Sequence, residues 1–326
     1  MQTVTTALRA SSKRLVIGCV VAAVALFFVL RGTDRDHLLA SLRMLHAGWV
    51  GVAAASVALS LGASVVRWRL TFFPEHRRVG WGALFSTILI GQMLNIVLPL
   101  RTGEIGRAYA LAASRGIPVA KVLSTIAIER LSDLAASGSV ALLLIGAGAA
   151  PDWLIGPGRA LAVGGAIAVA AAVVLTIAAD PIVRSVTGVA GTIAPSLRPR
   201  LENWLRPAVD ALDGLRHLPV ALSIWLLAML VTALAASTNY WLFRAFDLPF
   251  SPLAAIVLLV ALQVGNSLIS VPGNLGVFHA ITVLVLTRFQ ADHATAVAYA
   301  IVLYAIAIVP KIVLGAICLS MARRQR

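Results

Sequence analysis

Apolar residues run along this chain in long blocks at about 15–30, 47–66, 122–149, 157–179, 219–243 and 295–320. Each block approaches or exceeds the ~20 residues a helix needs to cross a bilayer, so six spanning helices are expected. Two further blocks are interrupted. Trp81–Leu98 is apolar, but the Pro99–Arg115 stretch that follows is too polar to cross back. Pro252–Val271 is followed by "PGNLG" (Pro272–Gly276) and a second apolar stretch to about Leu286.

Loop charge sets the direction of these elements. If both interrupted regions (about 81–115 and 252–288) enter and leave on one side, both termini share a side with five clusters: Arg9/Lys13/Arg14, Arg67/Arg69/Arg77/Arg78, Arg101/Arg107/Arg115/Lys121, Arg184/Arg198/Arg200/Arg206/Arg216 and Arg323/Arg324/Arg326. The opposite side keeps only Arg31, Arg35, Arg43, Arg159, Arg244 and Arg288. Reading Trp81–Leu98 as a lone span would put two of the basic clusters outside, against the positive-inside rule. The pattern therefore predicts two re-entrant hairpins that open in opposite directions, with N- and C-termini in the cytoplasm.

Composition agrees. The chain is 60% hydrophobic and only 12% charged, against about 25% charged in soluble domains. Its 326 residues form one all-α polytopic membrane bundle, read as a single domain over 1–326. The net charge of +14 lies between apolar blocks, so it points to an anionic leaflet and not to nucleic acid. Arg9, Lys13 and Arg14 before Leu15–Leu30 resemble a signal peptide. The run ends at Arg31 without a small-residue cleavage site, so an uncleaved first span is expected. Cys19 and Cys318 lie in apolar runs and offer neither metal spacing nor a disulfide framework. Asp34–His46 and the connector at about 180–218 read as interfacial helices or loops. Pro181, Pro195, Pro199 and Pro207 argue that the connector is not one helix.

The two breaks repeat a pattern. The first reads Gln92-x-x-Asn95 and then Gly103-x-x-Gly106. The second reads Gln263-x-x-Asn266 and then Gly273-x-x-Gly276, with Pro99 or Pro272 between. Glycine- and proline-interrupted segments at corresponding places in two halves point to an inverted repeat with a binding site near mid-membrane. Irregular backbone survives there only where it is buried in protein or lines a wet cavity. A helix starting at Gly103 or Gly273 would aim free N–H groups into that cavity, which suits an anion.

Charged side chains sharpen this. Arg101, Glu104 and Arg107 are three apart and share one side of a helix. Glu129 and Asp133 are four apart, flanking Arg130. At ~1.5 Å per residue they lie ~12 and ~18 Å beyond Lys121, inside the membrane if Lys121 marks its surface. Ionisable groups at that depth are paired or face a cavity. Arg101 or Arg107 should therefore meet Glu129 or Asp133. Two roles stay open: a self-satisfied structural pair, or carboxylates that orient arginines for a phosphate. Lys311, after Pro310, lies ~18 Å from the basic end of the last span. It needs an acidic partner or an anionic ligand. His279 and Arg288 flank the second hairpin. No nucleotide loop, metal set or nucleophile–base arrangement stands out, so neither a cofactor nor catalysis is expected.

"LPLRTGEIGRAYAL" (Leu98–Leu111), "IERLSDL" (Ile128–Leu134) and "VPGNLGVFHA" (Val271–Ala280) resemble three signature stretches of the lysylphosphatidylglycerol synthase transmembrane-domain family, also called flippase-like membrane proteins. The resemblance covers essentially the whole chain. It implies a bundle with two re-entrant regions that moves a charged phospholipid between leaflets in fused members. In stand-alone members it implies a link to polyprenyl-phosphate, glycolipid or hopanoid pathways. The family's motif positions fall on Arg101, Gly103, Glu104 and Arg107, on Glu129, Arg130 and Asp133, and on Pro272, Gly273 and Gly276. Where the third motif commonly continues into glutamate, this chain has His279, and Asn274 replaces a glycine. No soluble synthase domain is present in this sequence.

The combined expectation is a bacterial-type inner-membrane protein that binds an anionic membrane lipid or lipid-linked intermediate and passes it between leaflets. Substrate contacts are expected from Arg101, Gly103, Glu104, Arg107, Glu129, Arg130, Asp133, Asn95, Asn266, Gly273, Gly276 and Lys311. The alternative is an accessory or enzyme of glycolipid or hopanoid synthesis that binds a lipid phosphate without transport, working with a glycosyltransferase or lipid-synthesis partner.

Overall fold

The computed structural model describes residues 31–97, 103–193, 198–268 and 272–324, together with 24, 25, 27, 29 and 196. Most of the predicted first span, and Arg101 in the first break, lie outside the described residues. Among the described residues every regular element is a helix.

α1 (Arg35–Arg43) is a short surface helix capped by Asp34, whose carboxylate accepts from the Asp36 N–H at 2.9 Å. α2 (Ala47–Leu70), α6 (Asp152–Ile193), α9 (Leu218–Ala245) and α12 (His293–Arg324) are the long apolar helices. Each of these four is long and apolar enough to cross a membrane. α5 (Val119–Gly146) has the length too, at 28 residues, but carries Lys121, Glu129, Arg130 and Asp133.

The interrupted regions are pairs of short helices. The first pair is α3 (Trp81–Val97) and α4 (Gly103–Arg115); α10 (Pro252–Leu268) and α11 (Val277–Arg288) form the second. At 17, 13, 17 and 12 residues they are ~18–26 Å long, short of a ~30 Å hydrocarbon core. Each pair folds back on itself. A Cβ on Gly103 would fall on the Gly91 carbonyl oxygen and 2.7 Å from the Asn95 nitrogen, so α4 lies backbone to backbone on α3. Gly265 of α10 is covered by the Ile281 side chain of α11 in the same way.

The two pairs start and finish at opposite ends of the bundle. At one end the Arg115 guanidinium lies over Gly80, joining the end of α4 to the start of α3. There Lys121 also pairs with Glu75 at 2.9 Å. Asp180 and Arg216 form an ion pair beside them in the chain's basic connector. At the other end, the rings of Phe250 and Phe289 sit 5.7 Å apart, joining the start of α10 to the end of α11. The His46 N–H donates to the Ala245 carbonyl at 3.0 Å at this end.

Two local expectations change. Helix α6 continues through Pro157 and Pro181 to Ile193 instead of ending near 179. Membrane helices tolerate proline when neighbours satisfy the freed backbone. Here Arg216 donates to the Thr176 carbonyl at 3.3 Å and pairs with Asp180, stapling the helix beside Pro181. Beyond it the connector does divide, into α7 (Arg198–Asp210) and the single turn α8 (Asp213–Arg216). In the second break, the helix starts at Val277 and not at Gly273. Gly273 and Gly276 hold positive φ angles of 66° and 78°, which a side chain would resist, and they delay the helix by four residues.

Packing is through small residues, as expected where lipid tails are as apolar as leucine. α5 and α6 cross at Gly138 and Gly165, where a Cβ on Gly138 would sit 2.8 Å from the Gly165 Cα. The outer face of α6 (Val163, Ile167, Val173, Val174, Ile177) stays exposed and apolar, as a lipid-facing surface would. Gly138→Val should force these helices apart and cost at least about 1–3 kcal/mol. Gly188→Ala, with nothing within 4 Å of the new methyl, should be neutral or slightly stabilising. Thermal unfolding in detergent reads the difference, and equal melting temperatures would contradict the close crossing.

Candidate functional site

Two polar features lie inside the bundle. The first is a network of six charged side chains on three helices. Arg67 comes from α2, Glu104 and Arg107 from α4, and Glu129, Arg130 and Asp133 from α5. Arg67, 2% exposed, donates to Asp133 at 2.5 Å and reaches Glu129 at 3.5 Å. Arg107 holds the other oxygen of Glu129. Arg130 closes the outer edge, binding Glu104 at 2.9 Å and Asp133 at 3.1 Å. Three cations meet three carboxylates, so the network is neutral as a whole.

Helical spacing explains the arrangement. Glu129 and Asp133 share a face of α5, one turn apart, and present two carboxylates to the Arg67 fork. Arg107 is placed by its packing: its guanidinium lies 4.6 Å over the Trp68 ring, and its stem fills the gap beside Gly91. Trp68 is itself fixed by its indole N–H, which donates to Thr125 at 3.1 Å. The expected meeting of an arginine from the first hairpin with a carboxylate of α5 is thus made by Arg107 and Glu129. Arg67 had been counted with the basic residues at the membrane surface. It lies one turn inside the end of α2, and its position four residues before Thr71 was the only hint of that.

The second feature is a cavity of about 230 Å³ between α2, α3, α9, α10, α11 and α12. Its polar lining is Ser60 and Ser64, Gln92, Thr238 and Asn239, Gln263, and Lys311. The two glutamines are the first residues of the repeated Q-x-x-N pattern, one from each hairpin. No carboxylate lines the cavity, and Lys311 makes no ion pair or hydrogen bond with any described residue. The Gln92 carbonyl oxygen is buried without a donor. Ser64 and Arg67 are three apart on α2, and on α3 Gly91 faces the network while Gln92 faces the cavity. The two features are therefore stacked about one helical turn apart.

The remaining expected residues take other places. Asn95 lies against Gly103, with its side-chain oxygen buried and unpartnered. Gly103 is buried against α3, so the start of α4 faces protein backbone. The Gly273 carbonyl accepts from the Tyr304 hydroxyl at 2.9 Å, and Gly276 precedes α11. The Asn266 side chain lies outside the described residues. His279 is buried between Phe278 and Tyr304, with its Nδ1 unpartnered. Among the described residues, no group of three or more His, Cys, Asp or Glu could hold a metal ion.

Fold and site together define a polytopic helical membrane protein with a partly open cavity, lined by polar and apolar side chains, between two broken helix pairs. The family model for the lysylphosphatidylglycerol synthase TM region matches residues 15–315, nearly the whole chain, and the chain belongs to that family. It is also similar to a glycosyltransferase, AglD, of Haloferax volcanii, at 29% identity over 133 residues. That match takes in 40% of this chain and 21% of the relative, so the chain spans about a fifth of the length of that relative.

Two outcomes check this geometry. Arg107→Met leaves Glu129 with only the longer Arg67 contact and should cost about 3–5 kcal/mol of stability. The double variant Arg107→Met/Glu129→Leu should recover most of that loss in a double-mutant cycle followed by detergent unfolding. A double variant as unstable as the sum of both singles would show that the charges are not coupled. Outside the membrane-spanning segments, the bond and charge of Lys121 hold the Glu75 carboxyl below its ordinary value of 4.5. A depressed carboxylate adds stability above the unfolded value and loses it as pH falls through the folded one. The stability difference between wild type and Glu75→Gln should therefore be flat from neutral pH down to about 5 and vanish below that. A difference that grows on acidification would contradict the pair.

Proposed function

We propose that this protein binds the phosphate-bearing head group of an anionic lipid, or of a lipid-linked intermediate, in the central cavity and passes it between leaflets. One observation carries this reading: Lys311 stands in a cavity between the helices with no counter-charge. An ionisable group inside a membrane is costly and is kept for a partner or a ligand. The thirteen acidic residues of the chain are all described, and none lines the cavity, so the missing anion comes from outside the chain. A partly open space of this size takes a head group while the tails stay in lipid.

In this reading the two helix pairs are re-entrant hairpins of an inverted repeat, each offering a glutamine to the substrate. The six-charge network holds the first hairpin against α2 and α5. Arg101, which follows the proline of the first break in sequence, is assigned to first contact with the phosphate. Glu104, Glu129, Arg130 and Asp133 act through Arg107 and Arg67 as orienting groups. The basic connector and both termini face the cytoplasm, in an inner membrane. The similarity to AglD supports a second reading, in which the chain serves a glycosyltransferase or other lipid-synthesis partner by holding a lipid phosphate without moving it.

Reconstitution into vesicles separates these readings. The wild type should move a labelled anionic phospholipid across the bilayer, and Lys311→Met should slow this at least about tenfold while remaining monodisperse. Specific lipid binding without movement would favour the accessory reading, and chemically altered lipid would favour an enzyme. Equal rates in wild type and variant would sink the assignment of the cavity.

A further inference from the structure

We infer that the cavity selects a small anionic head group, a phosphate alone or bearing a small polyol, and rejects head groups that carry a cationic amine. The inference rests on the head-group reading above and adds the substrate class. Three observations support it.

The first is charge. Among the described residues the lining holds one cation, Lys311, and no carboxylate. All thirteen acidic residues of the chain are among the described ones. An aminoacylated phospholipid brings an ammonium group, and an ammonium beside Lys311 would meet like charge, offset only by the lipid's own phosphate. The cost of like-charge contact rises when both groups leave water. The acidic groups nearest along the chain, Glu104, Glu129 and Asp133, are already bound to Arg67, Arg107 and Arg130 and cannot supply a counter-charge without breaking the network.

The second is the kind of polar group present. Gln92 and Gln263 are primary amides, and Ser60, Ser64, Thr238 and Asn239 add hydroxyls and a further amide. Amides donate to phosphate oxygens and also accept from hydroxyls. Ser64 and Thr238 give their protons to the Ser60 and Leu234 carbonyls, so their oxygens face the cavity as acceptors for the same hydroxyls. A quaternary ammonium has no N–H to give and offers none of these groups a hydrogen bond.

The third is size. A volume of about 230 Å³ is room for about seven or eight water-sized groups. A phosphate with a glycerol-sized polyol fills it. The close backbone contacts between α3 and α4 resist widening. Gly315 of α12 is pressed on α3, where a Cβ would meet the Leu89 carbonyl at 2.6 Å, so the wall that carries Lys311 is fixed against the wall that carries Gln92.

The experiment measures binding of defined lipids to the purified full chain by native mass spectrometry in detergent. The probes are phosphatidylglycerol, phosphatidic acid, lysyl-phosphatidylglycerol and phosphatidylcholine, with sn-glycerol 3-phosphate as a soluble competitor. The wild type should bind phosphatidylglycerol or phosphatidic acid at least about tenfold more tightly than the lysyl and choline lipids. Lys311→Glu should reverse that order. Lys311→Met keeps the shape without the charge and should flatten it, which covers the case in which the glutamate variant fails to fold. Competition by sn-glycerol 3-phosphate at the affinity of the lipid would assign the site to a soluble phosphate ester of the same chemistry. Equal or tighter binding of lysyl-phosphatidylglycerol by the wild type would overturn the selectivity while leaving head-group binding intact. Absence of any bound lipid on folded wild type would overturn both.

Discussion

The structure depends on six charges that pair so that none is left over. Arg67, Arg107 and Glu129 are buried, and each alone would cost several kcal/mol; Glu104, Arg130 and Asp133 pair at the more exposed edge. Together they form a neutral cluster that the bundle can enclose only when α2, α4 and α5 are all in position. The cluster thus acts less as a source of stability than as a condition on the fold. The first hairpin cannot move away from α5 without uncovering Glu129, and α2 cannot slide without uncovering Asp133. Trp68, stacked under Arg107 and tied to Thr125, sets the depth at which the three helices meet.

That neutrality gives the cavity its character. The carboxylates that could balance Lys311 are consumed one helical turn away by three arginines. The cation in the cavity is left exposed to whatever enters. A family resemblance alone would place function on the arginines of the first motif. The packing instead encloses Arg107 on Glu129 and leaves Lys311, on the last helix, without a partner among the described residues. The glutamines belong to both descriptions, since they open the repeated motif and line the cavity.

Backbone breaks make this division possible. At the first, the start of α4 is pressed against α3 through Gly91 and Gly103, so its free N–H groups face protein. At the second, two positive-φ glycines turn the chain before α11 begins, and Tyr304 binds one of the carbonyls that the turn frees. The breaks bring two short helices back to the end from which each pair started. They do so from opposite ends of the bundle, which lets one glutamine from each meet in the middle.

The sequence by itself determined the helical class, the long apolar helices, the two interruptions and the presence of costly charges inside the membrane. Those follow from hydropathy, length and residue type, which act locally along the chain. It also named Lys311 as a cation in need of an anion. It did not show that Arg67 pairs with Asp133 across 66 residues, that α6 runs on through Pro181, or that Gln92 and Gln263 share one cavity with Lys311. Those depend on which helices become neighbours, and no local pattern encodes distance between segments far apart in sequence. Tertiary packing decided which charges cancel and which one stays available, because pairing in a low-dielectric interior is settled by proximity alone.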